Sequence, residues 1–385
     1  MTPFEFATAA RIVFGPGKSR EAAGIAREFG TRALVVTGST PSRAASLERQ
    51  LRDRGIDPAT FPAPGEPSVE LVATGARLAR ELRSDMVISL GGGSPIDCGK
   101  AIAVLATHET GVLDHLEVVG RGLPLHRAGL PFIAIPTTAG TGAEVTRNAV
   151  LASPQHRVKA SLRSPLLLAR VAIVDPELTR ALPRDLTAST GMDALTQLIE
   201  PFVTPRANPM TDGLCAEGLR RAARSLRRAF ERGDDPVARE DMAVASLFSG
   251  FALANAGLGA VHGFAAAIGG MFAAPHGVVC AALLPHVMDA NIRALRDRAP
   301  DSDALRRYES AARVLTGRPQ AAPGDGVAWV RDLCAALEIR PLRAWNLQRP
   351  DVPSIVERAI ESSSMKANPV ALTRDELGEV LDAAM

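Results

Sequence analysis

The sequence has few of the residues on which several classes of protein depend. Aromatic residues make up 4% of its 385 residues, too few for the base-stacking surface of a protein that binds single-stranded nucleic acid. The formal net charge is only +2, with both signs interspersed, so neither nucleic acid nor an anionic membrane is an expected partner. The four cysteines are far apart and form no C-x-x-C pair, which argues against a disulfide framework and against a structural zinc cluster.

Charged residues are absent from a long stretch of the C-terminal half. No Asp, Glu, Lys or Arg occurs between Met242 and Met288, which we call the charge-free segment. It is long enough for a transmembrane span, but Ala and Gly dominate it, and Asn255, Pro275 and three histidines interrupt it. We therefore expect buried helices in a soluble core and no membrane. The N-terminus, Met1–Glu5, has no basic region followed by an apolar run, so we expect no secretion signal and a cytoplasmic location.

The length of the chain and its pattern of apolar residues predict two domains. In the first half, short apolar runs alternate with helical patterns, which predicts βαβ units and a parallel sheet. The predicted strands are two short ones in 6–17 and single ones in 32–37, up to Phe61, in 85–90, in 132–135 and in 171–176. From about Asp185 the pattern is helical to the C-terminus. We therefore predict an α/β domain over 1–184 and an all-helical domain over 185–385.

A glycine-rich turn follows the predicted strand 85–90. It contains Gly91, Gly92 and Gly93. Glycines let a backbone approach a pyrophosphate closely, and Ser94, followed by Pro95 and Asp97, predicts an N-cap. The N-terminus of a helix binds anions through its N–H groups and its dipole. The turn does not match G-x-G-x-x-G, and a tight turn without a ligand is the alternative. Hydroxyls and glycines also follow the strand 132–135, where Thr137, Thr138 and Thr141 suit a ligand loop.

Two histidines lie in the charge-free segment, His262 and His276. A buried imidazole needs a partner for each ring nitrogen, and most buried histidines find one in the backbone or a carboxylate. A second apolar segment contains Asp193, with Gln197 four residues later on the same helix face. One carboxylate and two imidazoles suit Fe(II) or Zn(II), with a coordination position left for water or substrate.

Together these motifs resemble the iron-containing (group III) alcohol dehydrogenases over essentially the whole chain. The matching segments are Gly91–Asp97, Ile135–Thr141, Gly191–Leu195, His262–Gly263 and Pro275–Gly277. The resemblance implies an α/β dinucleotide-binding domain, an all-α metal-binding domain as in the related dehydroquinate synthases, and catalysis in the cleft between them. It also implies a homodimer formed through the N-terminal strands, about residues 4–14.

Carried over by position, the resemblance implies that Asp193, His262 and His276 are catalytic metal ligands. It also implies cofactor contacts at Gly92, Gly93, Ser94, Thr137, Thr138, Thr141 and Lys159. The turns after the predicted strands add Gly38, Ser39, Gly91 and Asp97 as candidate cofactor-binding residues. Two departures from the family occur. Gln197 replaces the family's second ligand, a histidine, so we expect it to be a weak fourth ligand or a group behind the ligands. Ala266 replaces a histidine implicated in proton delivery, so water or a nucleotide hydroxyl must deliver the proton, or the substrate must supply a polar group of its own.

The resemblance implies hydride transfer between NAD(P)H and the carbonyl carbon of a small aldehyde or ketone, a reaction of the EC 1.1.1 class. NAD-selective relatives place an Asp in the turn after the first nucleotide strand, which repels a 2′-phosphate. Here residues 36–40 contain no carboxylate, so we hypothesise use of NADP(H) or of both nucleotides.

Three alternatives remain open from the sequence. A metal-free reductase similar to the maleylacetate reductases is favoured by Gln197 and Ala266. A reaction of the dehydroquinate synthase or glycerol-phosphate dehydrogenase families would need phosphate-binding Lys and Arg, which the charge-free segment lacks. The third is a nucleotide-binding protein without turnover. Near the motifs, Cys280 and His286 are interpreted as core residues, and Glu200 shares the helix face of Asp193.

Overall fold

The computed structural model describes residues 3–156 and 158–385 and divides them into two compact units. The α/β unit contains Ala7–Thr138 and Gly142–Arg180. The helical unit contains the N-terminal residues up to Phe6, the short segment Ala139–Thr141, and everything from Ala181 onward. Met1, Thr2 and Arg157 lie outside the described residues, and with them the first two positions of the segment in which we expect no secretion signal.

The α/β unit is built on a parallel sheet, as the alternating pattern predicts. Within the described residues the sheet has six strands in the order β1-β8-β5-β4-β2-β3. The strands of the unit are β1 (Ile12–Phe14), β2 (Arg32–Thr37), β3 (Asp57–Pro62), β4 (Met86–Gly91), β5 (Phe132–Pro136), β6 (Asn148–Ser153), β7 (Val158–Arg163) and β8 (Val171–Val174). The central strands are continuous apolar runs because helices cover both faces of such a sheet.

Two parts of the strand prediction are wrong. Residues 6–17 form a single strand, β1, which pairs in parallel with β8, because the Ala-rich residues before it have no alternating apolar pattern. The sequence also gives no sign of the antiparallel hairpin of β6 and β7. Its strands are half-exposed and mix small polar with apolar residues, so neither is a strong β pattern.

Helices connect the strands of this unit, and a partly exposed carboxylate, Asp85, bridges the starts of two neighbouring strands. The helices are α1 (Ala22–Ala26), α2 (Ala45–Asp53), α3 (Val69–Glu81), α4 (Gly93–Leu105) and α5 (Val112–His115). Asp85, directly before β4, accepts hydrogen bonds from the backbone N–H groups of Thr31 and Arg32 at the start of β2 and from the Arg32 guanidinium. These bonds, the guanidinium first, lower the pKa of Asp85 to about 2.

The helical unit surrounds a large apolar core. Its helices are α6 (Arg184–Val203), α7 (Pro209–Glu231), α8 (Pro236–Ala256), α9 (Ala260–Met271), α10 (His276–Arg298), α11 (Asp303–Thr316), α12 (Pro323–Ala336), α13 (Val352–Glu361) and α14 (Arg374–Ala384). The charge-free segment forms most of α8, all of α9 and the first half of α10. These parts are mostly buried, as expected for helices that are apolar on every face.

Helix α10 is long and apolar enough to cross a membrane if length and composition alone are considered. However, 78% of its most apolar stretch is buried inside the protein. Helices α8 and α9 reach the same threshold only as a pair, and the chain bends by 96° between them. Burial of this kind is what a core helix of a folded domain shows.

Candidate metal centre and nucleotide loops

Three helices of the helical unit bring a cluster of ligand-type side chains together. Helix α6 carries Asp193, α9 carries His262, and α10 carries His276 and, one turn later, Cys280. One ligand atom from each of these four side chains lies within 4.8 Å of each of the others. Asp193, His262 and Cys280 are buried, whereas the His276 side chain is 39% exposed and marks the accessible side of the cluster.

The distances in this cluster suit a small cation. The Nε2 atoms of His262 and His276 lie 3.4 and 3.6 Å from Oδ1 of Asp193. The Sγ atom of Cys280 lies 3.8 Å from Nε2 of His262 and 3.7 Å from Nε2 of His276. Most of these contacts are longer than good hydrogen bonds, so the atoms converge on a common point rather than pair with one another.

Asp193 provides the clearest sign that the cluster is completed by a cation. Its Oδ1 atom is buried and has no hydrogen-bond partner among the described residues. A buried carboxylate oxygen in that state costs the protein free energy unless a positive group compensates it. Burial would raise the pKa of Asp193, but the positive charges of His276 and His262 outweigh it, and the pKa is lowered. The residues therefore fit a divalent metal.

A carboxylate behind the cluster sets the orientation of His262. Nδ1 of His262 donates to Oε2 of Glu200 at 2.6 Å, and Oε1 of Glu200 accepts the backbone N–H of Val261 at 2.7 Å. With the proton held at Nδ1, the lone pair of Nε2 faces the cluster. Burial would lower the pKa of His262, but the charges of Cys280 and Glu200 raise it well above its usual value. Glu200 lies on the same helix face as Asp193, and that spacing is the feature of the sequence that identifies it as a candidate partner of the cluster.

Gln197 is engaged through its amide nitrogen. Its Nε2 donates to the carbonyl oxygen of Gly140 and to the hydroxyl of Ser249, both at 3.2 Å. The Ser249 hydroxyl also lies 3.2 Å from the Gly140 carbonyl, so the three groups form one network. Gln197 thus ties α6 to α8 and to the short segment 139–141 of the helical unit.

Cys280 is the functional candidate that the sequence interpretation missed. It is fully buried and belongs to the apolar core, as a core residue would, but its sulfur also lies against two imidazoles. Burial would raise the pKa of its thiol, but the positive charges of His276 and His262 outweigh the burial and lower it. The sequence feature that could have identified Cys280 as a candidate ligand is its position four residues after His276, which places both side chains on one face of a helix.

Glycines permit the close packing that this cluster needs. A Cβ atom on Gly277, next to His276, would lie 2.3 Å from the backbone oxygen of Ser189 on α6. A Cβ atom on Gly259, the residue before α9, would lie 2.9 Å from Oε1 of Glu200. Side chains at these positions would push α9 and α10 away from α6. Ala266, where the family has a histidine, lies exposed on α9 and offers no titratable group.

The glycine turn of the α/β unit leads from β4 directly into α4. The structure corrects one detail: Gly92 rather than Ser94 is the N-cap, and α4 begins at Gly93. The helix starts earlier than the prediction because Gly92, which has no side chain, readily adopts the extended N-cap conformation. Ser94 therefore lies inside the first turn of the helix. No side chain caps the helix, so its first N–H groups remain available to an anion.

The loops after β2, β4 and β5 lie at the same edge of the sheet. Thr37 is in register with Leu90, and Gly91 with Pro136, so Gly38, Ser39 and Thr137 follow at that edge. The Thr137 N–H donates to the Gly91 carbonyl, and a Cβ on Gly92 would lie 3.2 Å from Thr138. Because chain order reverses between β2 and β4, this edge contains a topological switch point, where open α/β sheets bind their ligands.

Three other predicted cofactor residues have partners within the protein or lie outside this unit. One carboxylate oxygen of Asp97 accepts the N–H of Val150, and the other lies 3.4 Å from the buried Lys100 ammonium. Lys159, on β7, forms an ion pair with Glu66. Thr141 belongs to the helical unit, in the segment that Gln197 contacts.

Comparison with known proteins gives a consistent picture over the whole chain. Residues 9–176 match the family model for iron-containing alcohol dehydrogenase, and residues 187–385 match the model for the C-terminal part of the Fe-containing alcohol dehydrogenase family. A 1,3-propanediol dehydrogenase of Citrobacter freundii is 34% identical over 92% of both chains. An NAD-dependent methanol dehydrogenase of Bacillus methanolicus is 30% identical over 97% of both. Among solved structures, a 1,3-propanediol oxidoreductase superposes with a TM-score of 0.92 and 32% identity, with full coverage of both chains.

Proposed function

This chain belongs to the iron-containing alcohol dehydrogenase family, and we propose that it interconverts small aldehydes or ketones and their alcohols at a metal held by Asp193, His262 and His276. Membership makes it an oxidoreductase of the EC 1.1.1 class that uses NAD and a metal. The metal-free alternative similar to the maleylacetate reductases is not favoured, since the relatives are alcohol and propanediol dehydrogenases.

The roles of the residues follow from their contacts. When bound, the metal supplies a Lewis acid for the carbonyl oxygen, and the nicotinamide supplies the hydride. Asp193 contributes negative charge, and Glu200 holds the proton of His262 at Nδ1 so that Nε2 faces the metal position. The N–H groups at the start of α4 bind the pyrophosphate. Ala266 has no proton to give, so water or a nucleotide hydroxyl protonates the product.

The observation that carries the proposal is the unpartnered Oδ1 of Asp193 beside two imidazole nitrogens. The test is the metal content of protein purified without air, combined with the variant His276→Ala. A lost Lewis-acid contribution of several kcal/mol lowers kcat/KM by about 1,000-fold or more. We expect this loss in His276→Ala, with NADH affinity measured by fluorescence titration unchanged.

The matched control is His286→Ala, ten residues later on α10 and outside the cluster. It should keep both metal and activity. Turnover by protein stripped of metal, or by His276→Ala, would contradict the proposal.

We propose that the site binds either Fe(II) or Zn(II), because carboxylate and imidazole ligands suit either ion. We further propose that NADP(H) is accepted as well as NAD(H). In support, residues 36–40 contain no carboxylate, and the hydroxyl of Thr37 is buried without a partner among the described residues. Arg43, in the turn that follows, is exposed and forms no ion pair within the part of the chain that the structure describes. A guanidinium at this place suits a ribose 2′-phosphate.

We propose a homodimer and a cytoplasmic location. Strand β1 lies at the edge of the sheet and pairs on one side with β8, which leaves its other side for a strand from a second copy. Light scattering should then give twice the chain mass of 40.5 kDa. All four cysteines are free thiols, in keeping with a reducing compartment, and cell fractionation tests the location.

A further inference from the structure

The strongest unassigned feature of the helical unit is the thiol of Cys280 inside the candidate metal centre. Cys280 and His276 lie one turn apart at the start of α10, so one helix presents both side chains to the same point. We propose that the Cys280 thiolate is the fourth protein ligand of the metal and that it biases the site toward zinc over iron. This inference rests on the proposed function, because it assumes that the site holds a metal.

The first argument is geometric. With Zn–N and Zn–O distances of about 2.0–2.1 Å and a Zn–S distance of about 2.3 Å, a tetrahedral site places nitrogen and oxygen ligands about 3.3–3.4 Å apart and nitrogen and sulfur ligands about 3.6 Å apart. The two nitrogen–oxygen separations are 3.4 and 3.6 Å. The two nitrogen–sulfur separations are 3.8 and 3.7 Å. All four agree with the edges of that tetrahedron to within a few tenths of an ångström.

The second argument concerns the surroundings of the thiol. Cys98 and Cys215 are equally buried but belong to no group of candidate metal ligands among the described residues. Cys280 instead has two imidazoles and a carboxylate within 4.8 Å of its sulfur. A thiol needed only as a small apolar group would not require three polar neighbours, one of which, Asp193, has a buried oxygen without a hydrogen-bond partner among the described residues.

The third argument concerns the rival ligand. The Gln197 amide nitrogen is held by the Gly140 carbonyl and the Ser249 hydroxyl, so its side chain already has a structural role between helices. A neutral amide oxygen is also a weak ligand for Fe(II) and Zn(II), whereas thiolate is a soft ligand that selects zinc. Glutamine therefore stands where the family has an imidazole ligand, and the Cys280 thiolate provides a ligand from a different helix.

The test is the absorption spectrum of full-length protein loaded with Co(II), which replaces zinc in such sites. A thiolate ligand gives a sulfur-to-cobalt charge-transfer band in the near ultraviolet, whereas nitrogen and oxygen ligands do not. We expect this band in the native protein and in Cys334→Ser, and its loss in Cys280→Ser. Cys334 is the matched control because its thiol donates to the carbonyl of Ala281, the residue after Cys280, but is not part of the ligand cluster.

Metal affinity provides a second readout, measured by competition with a chelator. Loss of a group that only supports a metal ligand weakens metal binding by about 10–100-fold. We expect Cys280→Ser to weaken zinc binding by more than this, because it removes a ligand itself. The ratio of zinc to iron bound from an equimolar mixture should fall at least tenfold in the same variant. Gln197→Ala should change the zinc affinity by less than tenfold.

The outcomes separate this inference from the proposed function. Native protein that binds one Co(II) per chain without a charge-transfer band would overturn the thiolate ligand and leave the metal-dependent function intact. Native protein that binds no divalent metal would overturn both. Because the band is measured first on the native chain, the inference remains testable if Cys280→Ser fails to fold.

Discussion

The bond between Glu200 and His262 makes a quantitative prediction about metal affinity. Both groups are buried, and Glu200 accepts two short hydrogen bonds, from His262 Nδ1 and from the Val261 N–H. In Glu200→Gln only the amide oxygen accepts, so one of the two donors loses its partner. A hydrogen bond to a charged group is worth about 1.5–3 kcal/mol, and the loss of a group behind a metal ligand weakens metal binding by about 10–100-fold. The two ranges agree, since each tenfold change is about 1.4 kcal/mol.

The assay is competition for zinc between the protein and a chelator at fixed pH. Glu200→Gln should raise the Kd by about 10–100-fold. The control, Glu217→Gln, makes the same chemical change on the surface of α7, where Glu217 is ion-paired with two arginines, and should leave the Kd unchanged. If Glu200→Gln binds zinc within twofold of the native protein while His262→Ala does not bind it, then Glu200 does not orient His262 and the reasoning is refuted.

Three further predictions test other parts of the structure. Gly277→Ala should lower the free energy of unfolding by about 1–3 kcal/mol because the added Cβ would overlap the α6 backbone. The control Gly213→Ala, where no atom lies within 4 Å of the added Cβ, should be neutral or stabilising. Equal melting temperatures for the two variants would contradict this. Arg43→Ala should lower kcat/KM for NADPH by about 10–100-fold and leave that for NADH unchanged, and a parallel loss with both nucleotides would rule out a 2′-phosphate contact. Asp85 has a lowered pKa in the folded protein, so the stability that it contributes is complete above its unfolded-state pKa near 4 and is lost as the pH falls toward 2. Asp85→Asn should remove about 1 kcal/mol of this pH-dependent stability. Denaturant unfolding curves whose pH dependence is the same in the variant and the native protein would refute this.

Local pattern was sufficient for much of the α/β unit. Strands β2, β4 and β5 occupy nearly the predicted residues, because a buried parallel strand is a continuous apolar run that the sequence shows directly. The start of α4 was misplaced by a residue or two, since the choice between Gly92 and Ser94 as N-cap depends on backbone geometry. The hairpin of β6 and β7 was not foreseen because its strands are stabilised by their pairing and not by a strong apolar pattern.

The sequence alone determined the family, the two kinds of domain and three of the side chains that meet in the candidate metal centre. It could do so because periodicity and motif spacing are properties of neighbouring residues. Only the tertiary structure decided which helix faces meet. Glu200 and His262 are 62 positions apart, and Cys280 looks like any small core residue until α9 and α10 pack against α6. A ligand set is defined by distances of a few ångströms between separate helices, and that information lies in how their side chains pack.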